Sequence, residues 1–421
     1  MSRRHLHLIV PGAYIALALA LGLAAPRLGE RLFSGVVAGL ASDSAIALLS
    51  AIASGMMALT GIAFSVSFVF FQLSSSAYTP RLLAEFARSR LGPHALGVFV
   101  GTFLYAALAI RAIGHAGKPE LHAAVTWIAL AWLLASVAAL LLLIGSLRRL
   151  SVSEVLADLG EHGLCEVRAG YRPYRPNAED AVAAVMATLD PAAPSQVIAH
   201  TGVPLYVVQI DGARLLAAAR AASGLVVVPF ALGDAVMPGD ALAVIYGGSR
   251  RSDEAAVRSA IRLSRERTTE NNAPYALRLL ADIAIRALSP AVNDPTTAVA
   301  ALDQIEALLR SFGGADLEHG VARDETGAVR AVCMHPSWED LLALGLCEIA
   351  QYGEQSVQVQ RRLGALLADL AESVPAPRRA AVEHWRASRQ HLLAHVQLSP
   401  DARVLAGCRD RQGLGHTRPR Q

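Results

Sequence analysis

The richest concentration of polar side chains lies in "RALSPAVNDPTTAVAALD", residues 286–303. Arg286, Ser289, Asn293, Asp294, Thr296 and Thr297 offer a guanidinium, a carboxylate, an amide and three hydroxyls close together. Such a set suits a small polar ligand or an ion. The same residues also serve a purely structural end. Asp294 supplies a carboxylate for the orphan N–H groups of a helix start, and Pro295 lacks an N–H and has φ already set. Ser289-Pro290 ends the preceding helix, because proline disfavours the helical conformation in the residue before it. Ala298, Ala301, Leu302, Ile305, Leu308 and Leu309 then continue an apolar helix face. Local chemistry favours a corner between two helices, with more polar groups than a corner requires.

Other chemistry-bearing residues are sparser. His384, His391 and His395 share one helix face, and histidines four apart can ligate zinc, but no carboxylate or cysteine is spaced to join them. "YGGSRR", residues 246–251, can cradle a phosphate through backbone N–H groups, and reads equally as a strand-to-helix loop. No P-loop, Gly-x-Ser-x-Gly elbow or Gly-x-Gly-x-x-Gly is present. Cys165, Cys333, Cys347 and Cys408 are isolated, with no Cys-x-x-Cys pair. These residues point to no cofactor, no metal and no enzyme.

The elements that must position them follow from composition. The chain is 53% hydrophobic and 17% charged, against about 25% charged in soluble domains. Four stretches, about 7–25, 45–73, 94–113 and 123–147, are apolar enough to be read as spans of a bilayer, which takes about 20 helical residues. Residues 1–147 carry nine basic and four acidic residues, and the remainder carries 29 basic and 31 acidic. A nucleic-acid binder shows a basic excess on its soluble part, so that class is excluded. Short loops on one side hold Arg3, Arg4, Arg81, Arg88, Arg90, Arg148 and Arg149, and the other side holds Arg27, Arg31, Arg111 and Lys118. This bias places the N-terminus and the C-terminal domain in the cytoplasm of a bacterial inner membrane. "SRRHLHL" resembles a twin-arginine export signal, but three further spans favour an uncleaved first helix.

The second span carries small and polar residues at helical spacing: Ser50, Ser54, Ala58, Gly61, Ser65 and Gln72. Such a stripe either packs helices within one subunit or lines a pore in a ring of subunits.

Residues 151–250 read as a linker and a small β module, with strands at "QVIAH", "PLYVVQI", "GLVVVPF" and "DALAVIY". The spacing Gly-Asp-x-Val-x-x-Gly-x-x-Leu from Gly233 to Leu242 resembles the turns of lipoyl and biotinyl carriers, without their carrier lysine. The module is therefore expected to be barrel-like and structural. Residues 251–400 read as helical, interrupted by a hairpin at "GVARDETGAVRAVCM", and 401–421 as a disordered tail. The expected fold is an α-helical membrane domain of four transmembrane helices (1–150), followed by a mixed α+β cytoplasmic domain with a helical C-terminal part.

Several stretches together resemble a known family: "GIAFSVSFVFFQLSSSAYTPRLLAEF", "LGVFVGTFLYAALAIRAI", "GDAVMPGDALAVIY", "RTTENNAPYALRLLADIAIRALSPAVNDPTTA" and "AQYGEQSVQVQRRL". They are similar to the bacterial predicted membrane proteins called domain of unknown function 2254. The resemblance implies N-terminal spans followed by a cytoplasmic domain, and no established activity. Its two signatures fall on Tyr78, Thr79, Pro80 and Arg81, and on Arg286 to Thr297. Asn272, Ala276, Leu279 and Thr296 depart from the family pattern, which usually has aspartate, glycine, glutamine and an aromatic there. The paired signatures suggest that Arg81 at the membrane exit meets Asp294 or the helix end near Leu288. The leading expectation is a homo-oligomeric channel or transport-like protein in the lipid bilayer, passing an ion or small ligand under a regulatory cytoplasmic domain. The alternative is a membrane-anchored sensor or scaffold that binds a small ligand or protein partner without conduction.

Overall fold

The computed structural model describes residues 6–32, 41–77, 91–115, 119–148, 151–175, 181–190, 194–248, 250–317 and 320–411. The chain forms two compact units, Met1–Ser151 and Val152–Gln421.

The first unit holds α1 (Leu6–Leu32), α2 (Ser42–Ala77), α3 (Leu91–His115) and α4 (Pro119–Arg148). Helix α3 packs against each of the other three. Its Gly97 and Gly101, one turn apart, let α1 and α4 come close. A Cβ on Gly97 would stand 2.7 Å from Tyr14 Cδ2, and one on Gly101 would stand 3.0 Å from Trp132 Cζ3. Small residues at this spacing are how helices approach in lipid, where no hydrophobic drive separates protein from solvent. Polar groups inside the bundle pair with one another. Thr102 Oγ1 and Ser136 Oγ lie 2.8 Å apart, and the Tyr105 hydroxyl donates to the Val125 carbonyl at 3.1 Å. Leu49, Met56, Phe99, Tyr105 and Trp132 fill the core.

Among the described residues, three helices are long and apolar enough to cross a membrane: Ser42–Val69, Leu91–Ile113 and Ala124–Ser146. The apolar run of α1 is only Ile9–Ala24, short of the about 20 residues a span takes. The remainder of α1 carries Arg27, Glu30 and Arg31.

The second unit opens with α5 (Val152–Gly170), α6 (Ala181–Thr188), β1 (Pro194–Ala199), β2 (Leu205–Ile210), α7 (Gly212–Ala222) and β3 (Gly224–Val228). It continues with β4 (Ala235–Val236), β5 (Ala241–Gly247), α8 (Glu254–Ala260), β6 (Ile261–Ser264), α9 (Ala273–Ala287) and α10 (Pro295–Gly313). It ends with β7 (Val321–Arg323), β8 (Val329–Cys333), α11 (Trp338–Tyr352), α12 (Val357–Ser373), α13 (Ala376–His395) and α14 (Pro400–Gly407).

The strands do not make the expected barrel-like module. They form two open sheets, β1-β5-β3-β8-β7 and β4-β2-β6. Closure fails because β3 pairs in parallel with β8, a strand from the later hairpin, so β1 and β7 remain edges. The carrier-like spacing instead marks two tight turns. Gly233 and Gly239 take φ of 92° and 95°, which suits residues without a Cβ. Asp234 and Asp240 accept from the Ala231 and Met237 N–H groups at 2.8 and 2.7 Å.

Helices α5, α9, α10, α11 and α12 form the helical core. Gly163 of α5 admits α10, since a Cβ there would meet Leu308 Cδ2 at 2.8 Å. Charged residues bind α10 to α12. Arg362, 5% exposed, bridges Asp303 and Glu306, each at 2.6 Å. Arg310 links Glu306 at 2.5 Å to Asp369 at 3.3 Å, and Arg411 also pairs with Asp369. Losing one member of such a set is costly because a buried charge is left uncompensated. The Arg411 contact and α14 place residues 401–411, assigned to a tail on sequence, on the folded core.

Candidate functional site

The corner at residues 286–297 is built from its own backbone. Helix α9 ends at Leu288, and Ser289 Oγ donates to the Arg286 carbonyl at 2.7 Å. The N–H groups of Asn293 and Asp294 return to the carbonyls of Ser289 and Ala287 at 2.9 and 2.8 Å. Asn293 takes the left-handed conformation, φ 48°, which asparagine tolerates better than most residues. Asp294 is the N-cap of α10 and accepts from the Thr297 N–H at 3.1 Å and the Thr297 hydroxyl at 2.6 Å. These bonds, the hydroxyl first, hold the Asp294 carboxyl below the usual carboxylate range. Arg286, Pro290, Asn293 and Thr296 are exposed, while Ser289, Asp294 and Pro295 are half-buried. The two cavities described below do not involve these residues.

Tyr78, Pro80 and Arg81 lie outside the described residues, so the suggested partner of Asp294 does too. On α2, Ser54, Gly61, Ser65 and Gln72 are exposed and Ser50 is half-buried. They stand opposite Ala45, Leu49, Ile52, Met56 and Ala63, the buried side that faces the bundle. A Cβ on Gly61 would meet nothing within 4 Å. Among the described residues, the packed side of α2 is the one opposite this stripe. The Ser54 hydroxyl donates to the Ser50 carbonyl at 2.8 Å, a bond that satisfies its proton within the helix.

His391 and His395 stack with ring centroids 4.2 Å apart on the exposed side of α13. Among the described residues no three His, Cys, Asp or Glu side chains are grouped to hold a metal. In "YGGSRR", a Cβ on Gly248 would stand 2.6 Å from the Ala222 carbonyl oxygen, so the glycine serves close backbone approach.

The site that no sequence pattern marked is a cavity of about 340 Å³ between the helical core and both sheets. The end of α5 supplies Glu166, Ala169 and Gly170, with Tyr171 just beyond it. Ile210 and Gly212 come from the β2–α7 junction, Leu232 from a turn, and Asn271 from the approach to α9. Gly320, Val321, Ala322, Ala331, Cys333 and His335 close the far wall. Gly320 is forced by space, because a Cβ there would overlap the Cys333 carbonyl oxygen and stand 2.5 Å from His335 Cδ2.

Apolar and polar groups both line this cavity. The Tyr171 ring meets Phe312 edge-on, centroids 5.5 Å apart, and burial pushes its phenol up to about 12. Burial likewise pushes the Cys333 thiol up to about 12. The Glu166 side chain, 21% exposed, has His162 Nε2 one turn away at 3.7 Å, within ion-pair distance. A second, smaller cavity of about 180 Å³ between α11, α12 and α13 is almost wholly apolar, lined by Leu346, Leu363, Leu367, Trp385 and Leu392.

No solved structure matches the chain. Three mycobacterial proteins are similar to it: the uncharacterized proteins Mb1321c of Mycobacterium bovis, and Rv1290c and MT1328 of two strains of Mycobacterium tuberculosis. Each is 29% identical over 352 residues, 80% of this chain. The chain spans 66% of the length of these relatives. With its apolar N-terminal helices and its mixed α/β unit, the chain belongs to the family described as predicted membrane protein (DUF2254), whose model matches residues 4–369.

Proposed function

We propose that this membrane protein is an anchored receptor whose C-terminal unit binds a small organic molecule. The observation that carries this reading is the cavity of about 340 Å³ with its mixed apolar and polar lining, a volume within the range of small-molecule sites. The reading includes no catalysis, since the cavity's thiol, Cys333, is kept protonated by burial. The positive-inside bias supports an inner-membrane location with both the N-terminus and the C-terminal unit cytoplasmic. That arrangement takes an even number of spans, and α1, seated on the glycines of α3, supplies a short fourth one. The test is a melt of the full-length protein in detergent against fragments of up to about 15 non-hydrogen atoms. Fragments should stabilise the wild type and not Ala169→Phe, which puts a ring at the cavity mouth. A library in which no fragment separates the two proteins would contradict the reading.

A second reading, a homo-oligomeric channel or transport-like assembly, is favoured by the outward face of α2. Ser54, Gly61, Ser65 and Gln72 turn away from their own bundle, where neighbouring copies can meet them. Reconstituted in planar bilayers, the protein should then pass ions, and Gly61→Leu or Ser65→Leu should change the conductance. Silence under voltage and tension would dispose of this reading.

A further inference from the structure

We infer that the smaller cavity, between α11, α12 and α13, takes an uncharged apolar molecule about the size of a single six-membered ring. The inference is independent of the receptor reading, which concerns the other cavity. Helical spacing assembles the lining. Leu346 and Ala350 share one face of α11, Leu363 and Leu367 lie one turn apart on α12, and Trp385 and Leu392 lie two turns apart on α13. The buried Leu346, Leu363 and Leu367 make the floor. Cys347, Ala350 and Ser388 are small, and larger side chains at these places would fill the space. Protein cores otherwise pack as densely as organic crystals. An apolar cavity of about 150 Å³ stays dry and binds benzene, and this one, about 180 Å³, is of the same order.

The lining also sets the charge of the occupant. Its one charged side chain, Arg389, is engaged elsewhere: Nε donates to the Gln360 carbonyl at 2.9 Å and Nη2 to the Ala406 carbonyl at 2.5 Å. The guanidinium lies over Gly364, where a Cβ would meet Cζ at 2.8 Å. Arg389 therefore gives this almost wholly apolar cavity its methylene stem. An anion would have to draw the guanidinium off two backbone carbonyls, and a cation would find no carboxylate in the lining. Either would leave water without a matching partner, which is costly. Cys347, Gln351 and Ser388 are exposed and stand at the mouth, outside the buried leucines.

The test exposes full-length protein in detergent to toluene vapour, which fixes the toluene activity whatever the micelles take up. Toluene at tenfold its Kd should raise the melting temperature by about 3 °C. Alkylation of Cys347 should slow about tenfold, since about one cavity in eleven is then empty, while that of Cys165, also exposed, should not change. Benzoate and benzylammonium should give no shift. Ala350→Leu, which fills the cavity, and Ser388→Leu, an exposed change at its mouth, should both lose the toluene response, and Ala169→Phe should keep it. If Ala350→Leu does not fold, Ser388→Leu decides alone. A toluene shift that persists in Ser388→Leu, an unaltered Cys347 rate, or an equal response to either ion would overturn the inference. Absence of any toluene shift in the wild type would overturn it too, and would leave the larger cavity's reading standing.

Discussion

Two polar regions of the C-terminal unit behave in opposite ways. In the corner at residues 286–297 the carboxylate of Asp294 is matched within its own segment, by the Thr297 N–H and hydroxyl. In the cavity the carboxylate of Glu166 comes from one helix, while the groups around it come from five other segments. The first arrangement completes its hydrogen bonds within one segment; the second sets its carboxylate at the edge of an enclosed space, with His162 Nε2 3.7 Å away. Polar density along the chain therefore marks local architecture here, and the cavity forms where distant segments enclose a space.

That contrast can be broken or sharpened at four positions. The largest effect belongs to Gly320→Ala, which should cost about 3 kcal/mol because the added Cβ must push the Cys333 carbonyl or the His335 ring aside. Denaturant melts of the detergent-solubilised protein measure it, and a neutral outcome would mean that the cavity wall is loosely built.

Asp294→Ala should cost about 1 kcal/mol through loss of the cap. The pH dependence has a definite sign. Folding lowers the Asp294 pKa, so its contribution is full above the unfolded value, about 4, and fades as pH falls through the lower folded value. The gap in melting temperature between wild type and variant should be constant above that pH and narrow beneath it. A gap that grows in acid would refute the capping account.

Asn293→Ala should cost about 1 kcal/mol, since alanine resists the left-handed φ of 48° that this turn uses. Asn293→Gly should be milder, and comparing the two melts isolates the backbone term. The smallest effect on stability belongs to Glu166→Gln, within about 0.5 kcal/mol. A loss of several kcal/mol there would make Glu166 a structural residue and erase the contrast with Asp294.

What was legible in the sequence follows the same division. Rules that act over a few residues worked: Asp294-Pro295 starts a helix, and the glycine spacing from Gly233 to Gly239 marks real turns. Long apolar runs disclosed three spans, while α1, whose apolar stretch stops at Ala24, is shorter than the about 20 residues a span takes. Gly97 and Gly101, the seat of α1, stand in a Gly-x-x-x-Gly spacing, a helix-packing signal carried by the sequence itself. The barrel-like expectation failed because β8, about a hundred residues after β3, enters the same sheet, and no local pattern reports such parallel pairing. The cavity was illegible for the same reason. Its lining runs from Glu166 to His335 without a spacing that ties the pieces together.

Hydrogen exchange of the full-length protein with and without a fragment that stabilises the wild type but not Ala169→Phe tests the central claim most directly. The account predicts added protection at residues 166–171, 210–215 and 320–335, and no change at residues 286–297. Protection confined to residues 286–297, with the cavity segments unaltered, would contradict it.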